Sequence, residues 1–148
     1  MLKISSSKAH MDIKIAWKYV VDGNEELDLH RVLYAYVHPD TEEILYIGKA
    51  DRCSVKERLQ GRHKEDIFDY FKSEFDLDSM GLLVGELWLP EGNRYSSELL
   101  SDIESLLIYE LEPPANLQAI SSRISRPGMV VFCRGDWPDD CDEFRDHA

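Results

Sequence analysis

The chain has 148 residues, 43% of them hydrophobic and 31% charged, a balance that fits one globular domain able to bury its own core and excludes global disorder. Its formal net charge of −12 sets up a field that repels phosphates and anionic surfaces. The longest nearly apolar stretch, Met80 to Leu89, is interrupted by Glu86 and is too short to span a bilayer, so no membrane is expected as a partner.

The polar start, Met1 to Met11, has no apolar signal core, and a cytoplasmic location is expected. Residues 12–21 alternate in part and read as a strand before the turn signal Asp22-Gly23-Asn24. Val32 to Val37 and Glu43 to Gly48 are rich in β-branched and aromatic residues and flank His38-Pro39-Asp40, which predicts a hairpin. Residues 54–60 predict a short helix with Ser54 as N-cap, Leu59 facing inward and Gly61 as a stop. Lys64 to Glu74 predicts a second helix with Ile67, Tyr70 and Phe71 on one face. Residues 82–89 predict a third strand, and Tyr95 to Leu111 a long helix ended by Pro113-Pro114. Met129 to Cys133 predicts a late strand. The three cysteines, Cys53, Cys133 and Cys141, include no C-x-x-C pair, which argues against a disulfide framework or a zinc ribbon.

Charge is uneven along the chain. Residues 49–64 carry Lys49, Arg52, Lys56, Arg58, Arg62 and Lys64 against Asp51 and Glu57, whereas residues 136–148 carry six acidic groups against Arg145. The acidic end reads as a tail, either solvated or competing with nucleic acid for the basic patch. On the long helix, Glu104 shares a face with Leu100, Leu107, Ile108 and Leu111. A carboxylate in an apolar stripe must be paired, protonated, metal-bound or at the edge of the face.

Tyr34, then Tyr46-Ile47-Gly48, then Arg58, His63, Glu104 and Asn116, stand in the order of the GIY-YIG endonuclease superfamily, which the sequence resembles over residues 31–118. The segment Leu45-Tyr-Ile-Gly-Lys-Ala50 is similar to the nuclease domain of the bacterial excision-repair incision subunit. The first motif reads Val32-Leu33-Tyr34, without the family's glycine, and both Arg62 and His63 stand near the place of the family's His or Tyr. The resemblance implies an α+β fold, a small and mostly antiparallel sheet of three or more strands flanked by helices. It divides the chain into an N-terminal extension with a strand (1–30), a nuclease domain (31–118) and a C-terminal strand with the acidic tail (119–148).

It also implies a metal-dependent endonuclease acting on DNA. Glu104 would hold Mg²⁺ or Mn²⁺ with water and phosphate oxygens. Tyr34 would serve as base, its phenol lowered by cations such as Lys49, with His63 taking or orienting the proton. Arg58 would grip the phosphate, and Tyr46 would position the water. Lys49, Lys56, Arg62, Lys64 and Asn116 would complete the phosphate and DNA contacts, with Asn116 orienting backbone or site groups. The alternative is a GIY-YIG-fold binding module with little or no turnover, its acidic surface mimicking DNA or contacting a partner protein. Whether the chain works as a homodimer or with a partner stays open.

Overall fold

The computed structural model describes residues 11–21, 25–60, 62–119, 126 and 128–146, without the side chains of 62, 63 and 117–119. The expected turn at 22–24 and the expected stop at Gly61 therefore lie outside the described residues. The α+β architecture is as expected. Six strands form one mixed sheet: β1 (Met11–Tyr19), β2 (Val32–Val37), β3 (Ile44–Ala50), β4 (Gly81–Trp88), β5 (Met129–Gly135) and β6 (Glu143–Arg145), in the spatial order β3-β2-β4-β1-β5-β6. The helices among the described residues are α1 (Val55–Arg58), α2 (Arg62–Phe75) and α3 (Ser97–Leu111). None of them is long and apolar enough to cross a membrane.

Every residue of β2 is buried, because both faces of that strand are covered. One face joins Ile13, Ile15, Leu33, Ala35 and Ile47 to the apolar stripe of α3, which contributes Leu99, Leu100, Ile103, Leu106 and Leu107. The other face joins Tyr34, Tyr36, Leu45 and Val84 to Val55 of α1 and to Ile67 and Phe71 of α2. Strand β1 is covered on one face only, so Ile13, Ile15 and Trp17 are buried while Asp12, Lys14 and Lys18 are exposed, the alternation that a half-covered strand requires.

Local signals set the helix ends. Ser54 and Glu57 close a reciprocal capping box at the start of α1. The Ser96 hydroxyl caps α3 by accepting from the Leu99 N–H, and α3 ends at Glu112, which takes a left-handed conformation before the two prolines.

The segment expected as an N-terminal extension is instead central. Strand β1 pairs antiparallel with β4 and parallel with β5, so both sequence-based boundaries, at 31 and at 119, cut through one sheet. The expected acidic tail is likewise part of the fold. Phe144 on β6 is 2% exposed. The Trp137 ring packs 5.0 Å from Trp17 and 6.3 Å from Phe144. Its acidic groups have local partners: the Asp136 carboxylate accepts from the Tyr19 N–H, the Asp139 carboxylate from the Cys141 N–H, and Glu143 pairs with Arg145. A segment held in this way on the sheet edge opposite β3 is not free to compete for a basic patch beside β3. Phe144→Ala is therefore expected to lower stability by about 3–5 kcal/mol, read by urea unfolding. A loss below about 1 kcal/mol would mean that β6 is peripheral.

Candidate functional site

The site is organised by one glycine. Tyr34 lies directly opposite Gly48 in the β2–β3 register, and Tyr46 shares that face because side chains alternate along a strand. A methyl group on Gly48 would fall 2.5 Å from both Cζ and the hydroxyl oxygen of Tyr34. The Tyr34 phenol thus lies across bare backbone, and the glycine of the Tyr-Ile-Gly segment is the space it occupies. Gly48→Ala is expected to displace that ring and cost about 1–3 kcal/mol through overpacking. A melting curve unchanged from the parent protein would refute this account of the glycine.

Tyr34, Tyr36 and Tyr46 form a triangle with ring centroids 6.1, 6.1 and 6.2 Å apart. The hydroxyls of Tyr34 and Tyr36 are buried and make no hydrogen bond of good geometry. Burial is the main reason that all three phenols hold their protons more tightly than usual. Arg58, at the end of the capped α1, acts in the opposite sense on Tyr34 and Tyr46 but does not outweigh burial. This corrects the expectation for Tyr34. Its phenol is raised, not lowered, and the cation that acts on it is Arg58 rather than Lys49.

Glu104 comes from α3. Its side chain is 20% exposed, and its carboxylate is 3.8 Å from the Lys49 ammonium, which also donates to the Ser101 hydroxyl at 2.5 Å. Burial raises the Glu104 carboxyl, with Lys49 and Arg58 opposing the shift, and the Glu104 charge in turn raises Tyr46. Tyr34, Tyr46, Lys49, Arg58 and Glu104, drawn from β2, β3, α1 and α3, are therefore electrostatic neighbours. Ser101 belongs with them. It lies three residues before Glu104, a helical spacing that points two side chains the same way, and the sequence reading passed over it.

The remaining expected residues divide. Lys56 is exposed on α1. Lys64 sits over the Phe68 ring at 5.1 Å. Arg62 and His63 begin α2, but their side chains lie outside the described residues.

Asn116 orients backbone, one of the roles expected of it. It is 3% exposed, accepts from the Ile47 N–H at 2.8 Å and donates to the Ile47 carbonyl at 3.0 Å. Strand β3 is a sheet edge, and the Asn116 amide occupies its outward backbone groups as a neighbouring strand would. It braces the strand that carries Tyr46, Gly48 and Lys49.

Among the described residues, no group of three or more His, Cys, Asp and Glu could hold a metal ion. Glu104 offers a single carboxylate. No protein-family model, curated protein or solved structure matches the chain.

Proposed function

We propose that the chain is a metal-dependent endonuclease that hydrolyses DNA phosphodiester bonds through a GIY-YIG-type site. The observation that carries this reading is the convergence of five residues singled out by the resemblance: Tyr46, Lys49 and Arg58 gather at the Glu104 carboxylate, and Tyr34 lies beside Tyr46 and Arg58. Hydrolysis needs an oriented water, charge relief at the phosphate and a stabilised leaving oxygen.

The donor set fits a hard cation only in one mode. Glu104 is partly exposed, and its Lys49 neighbour at 3.8 Å is beyond direct hydrogen-bond range. One oxygen face is thus available, suited to Mg²⁺ or Mn²⁺ that keeps several waters and takes phosphate oxygens for the rest of its shell. When bound, such an ion supplies Lewis acidity at the phosphate.

The chain's own residues do the positioning. Arg58 offers a planar two-pronged donor to the phosphate oxygens. Tyr46, held beside Glu104, orients the attacking water. The new P–O bond forms to that water as the bond to the sugar oxygen breaks, and the leaving oxygen takes up a proton from solvent water. The water's proton leaves toward Tyr34 only as rising pH frees the phenol, and the family pattern adds His63 as its acceptor. The Lys49 ammonium, 3.8 Å away, attracts the Glu104 carboxylate by charge.

A second reading is favoured by one observation. The phenols of Tyr34 and Tyr36 are sealed in and protonated, which suits a binding module without turnover. Supercoiled, branched and single-stranded DNA incubated with the full chain in Mg²⁺, in Mn²⁺ and in EDTA separates the two. Nicking that depends on the added metal supports the nuclease. Absence of cleavage in every metal and up to pH 9.5, with the protein folded, refutes it in favour of the binding module.

A further inference from the structure

Next to the Glu104 cluster is a cavity of about 250 Å³ that the roles above leave unused. Val32, Leu87 and Leu89 give it apolar lining, and Arg31, Glu86 and Tyr95 give it a polar rim. The Arg31 guanidinium stands 5.1 Å from the Tyr95 ring centroid. The ring is fixed from behind. Its hydroxyl donates to the Asp51 carboxylate, which also holds the Ser97 hydroxyl. Arg31 is fixed too. Its N–H donates to the Ala50 carbonyl at 2.6 Å, and its backbone takes φ 63°, a left-handed conformation that costs a non-glycine residue on the order of 1 kcal/mol. The outcome is a planar cation, on an anchored backbone, over a fixed aromatic ring at the mouth of an apolar slot.

Its position relates it to the site already described. Ala50, which holds Arg31, lies between Lys49 and Asp51. Lys49 reaches Ser101 and Glu104, and Asp51 reaches Ser97 at the start of the same helix. From Ser97 to Glu104 the helix rises about 10 Å at 1.5 Å per residue.

We propose that this cavity is a nucleobase subsite. A base of the DNA strand enters the apolar slot and stacks on the Arg31–Tyr95 pair. Its backbone passes Lys49 toward Glu104, and the Glu86 carboxylate at the rim accepts from an amino group on the base. Stacking on an aromatic ring with cation–π support is how single strands are held with little regard to sequence. It also answers the charge arithmetic: a protein of net charge −12 gains little from phosphate neutralisation at large, so contact with a base must supply part of the affinity. The proposal rests on the nuclease reading for the identity of its ligand as a DNA strand.

The test uses the full chain and a short labelled single strand in EDTA, where no cleavage occurs. Binding is measured on the intact strand and on a series with one abasic position moved along it. Wild type is expected to lose about tenfold in affinity at one position of the series. Arg31→Ala and Tyr95→Leu, with folding checked by thermal melting, are expected to lose about as much on the intact strand and almost nothing more on that abasic strand. Arg31 is exposed, so its variant keeps the fold even if the Tyr95 variant does not. Losses that add at every position, equal binding along the whole abasic series, or no binding by wild type would each overturn the subsite. A strand bound in the expected pattern, with no DNA form cut in either metal up to pH 9.5, would overturn the nuclease reading and leave the subsite standing. A strand cut normally with purely additive losses would do the reverse.

Discussion

Glu104→Gln is expected to abolish cleavage while the protein melts at the same temperature or higher. Glutamine keeps the shape but removes the charge that would hold a hard cation. A bound ion contributes several kcal/mol to phosphoryl-transfer barriers. At 1.36 kcal/mol per decade of rate, the expected loss is about 10³-fold or more. The stability half of the prediction follows from burial. The folded carboxyl holds its proton more tightly than an unfolded one. Its contribution to stability is therefore greatest below the unfolded value of about 4.3, and is lost as pH rises through the raised folded value. Above that raised value the ionised group is a cost that glutamine removes. Nicking assays and melting curves at pH 5 and pH 7 check both halves. Full nicking by the variant would end the metal-ligand assignment.

Arg58→Ala is expected to lower kcat by about 10²–10³-fold with a much smaller change in KM. Negative charge grows on the phosphate oxygens in the transition state, where a positioned cation has its effect. The same variant gives a second, independent readout. Arg58 opposes the burial that raises Tyr34 and Tyr46; the neighbouring phenols Tyr46 and Tyr36 raise Tyr34 further, and the Glu104 charge raises Tyr46 further. If the ionised Tyr34 phenol is the active form, wild-type rate climbs with pH through the alkaline range. Removal of Arg58 then moves the climb to still higher pH. A wild-type profile that is flat from pH 7 to 9.5 would remove Tyr34 from proton transfer. A variant altered only in KM would make Arg58 a docking residue.

The sequence made the elements around the site readable because their signals are local. The Ser54 capping box, the Pro113-Pro114 stop and the two-residue alternation of the hairpin each act within a few residues. Motif order then placed Tyr34, Tyr46, Arg58 and Glu104 together. What could not be read depends on contacts between distant segments. Strand β6 has three residues and no periodicity of its own, and it exists because Phe144 finds the core. The burial that raises the Tyr34 phenol comes from α2 and the neighbouring tyrosines, so residue type alone suggested the wrong direction. Asn116 looked like a site residue because its spacing from Glu104 fits the family pattern. Its bonds to Ile47 depend on β3 being an edge, which is a property of the whole sheet.

The placement of β1 between β4 and β5 has a consequence for how the chain is made. Its partner β4 ends at Trp88, but its second partner, β5, begins only at Met129. At 5–20 residues per second of synthesis, the second edge of β1 waits roughly 2–8 s for its neighbour. Throughout that interval Ile13, Ile15 and Trp17 border an unpaired strand edge, a template for pairing with other nascent chains. Parallel pairing over so long a separation is also among the slowest steps in folding. Recovery of native protein from cells is therefore expected to depend on holdase chaperones and on slowed translation more steeply than the size of the chain alone would suggest.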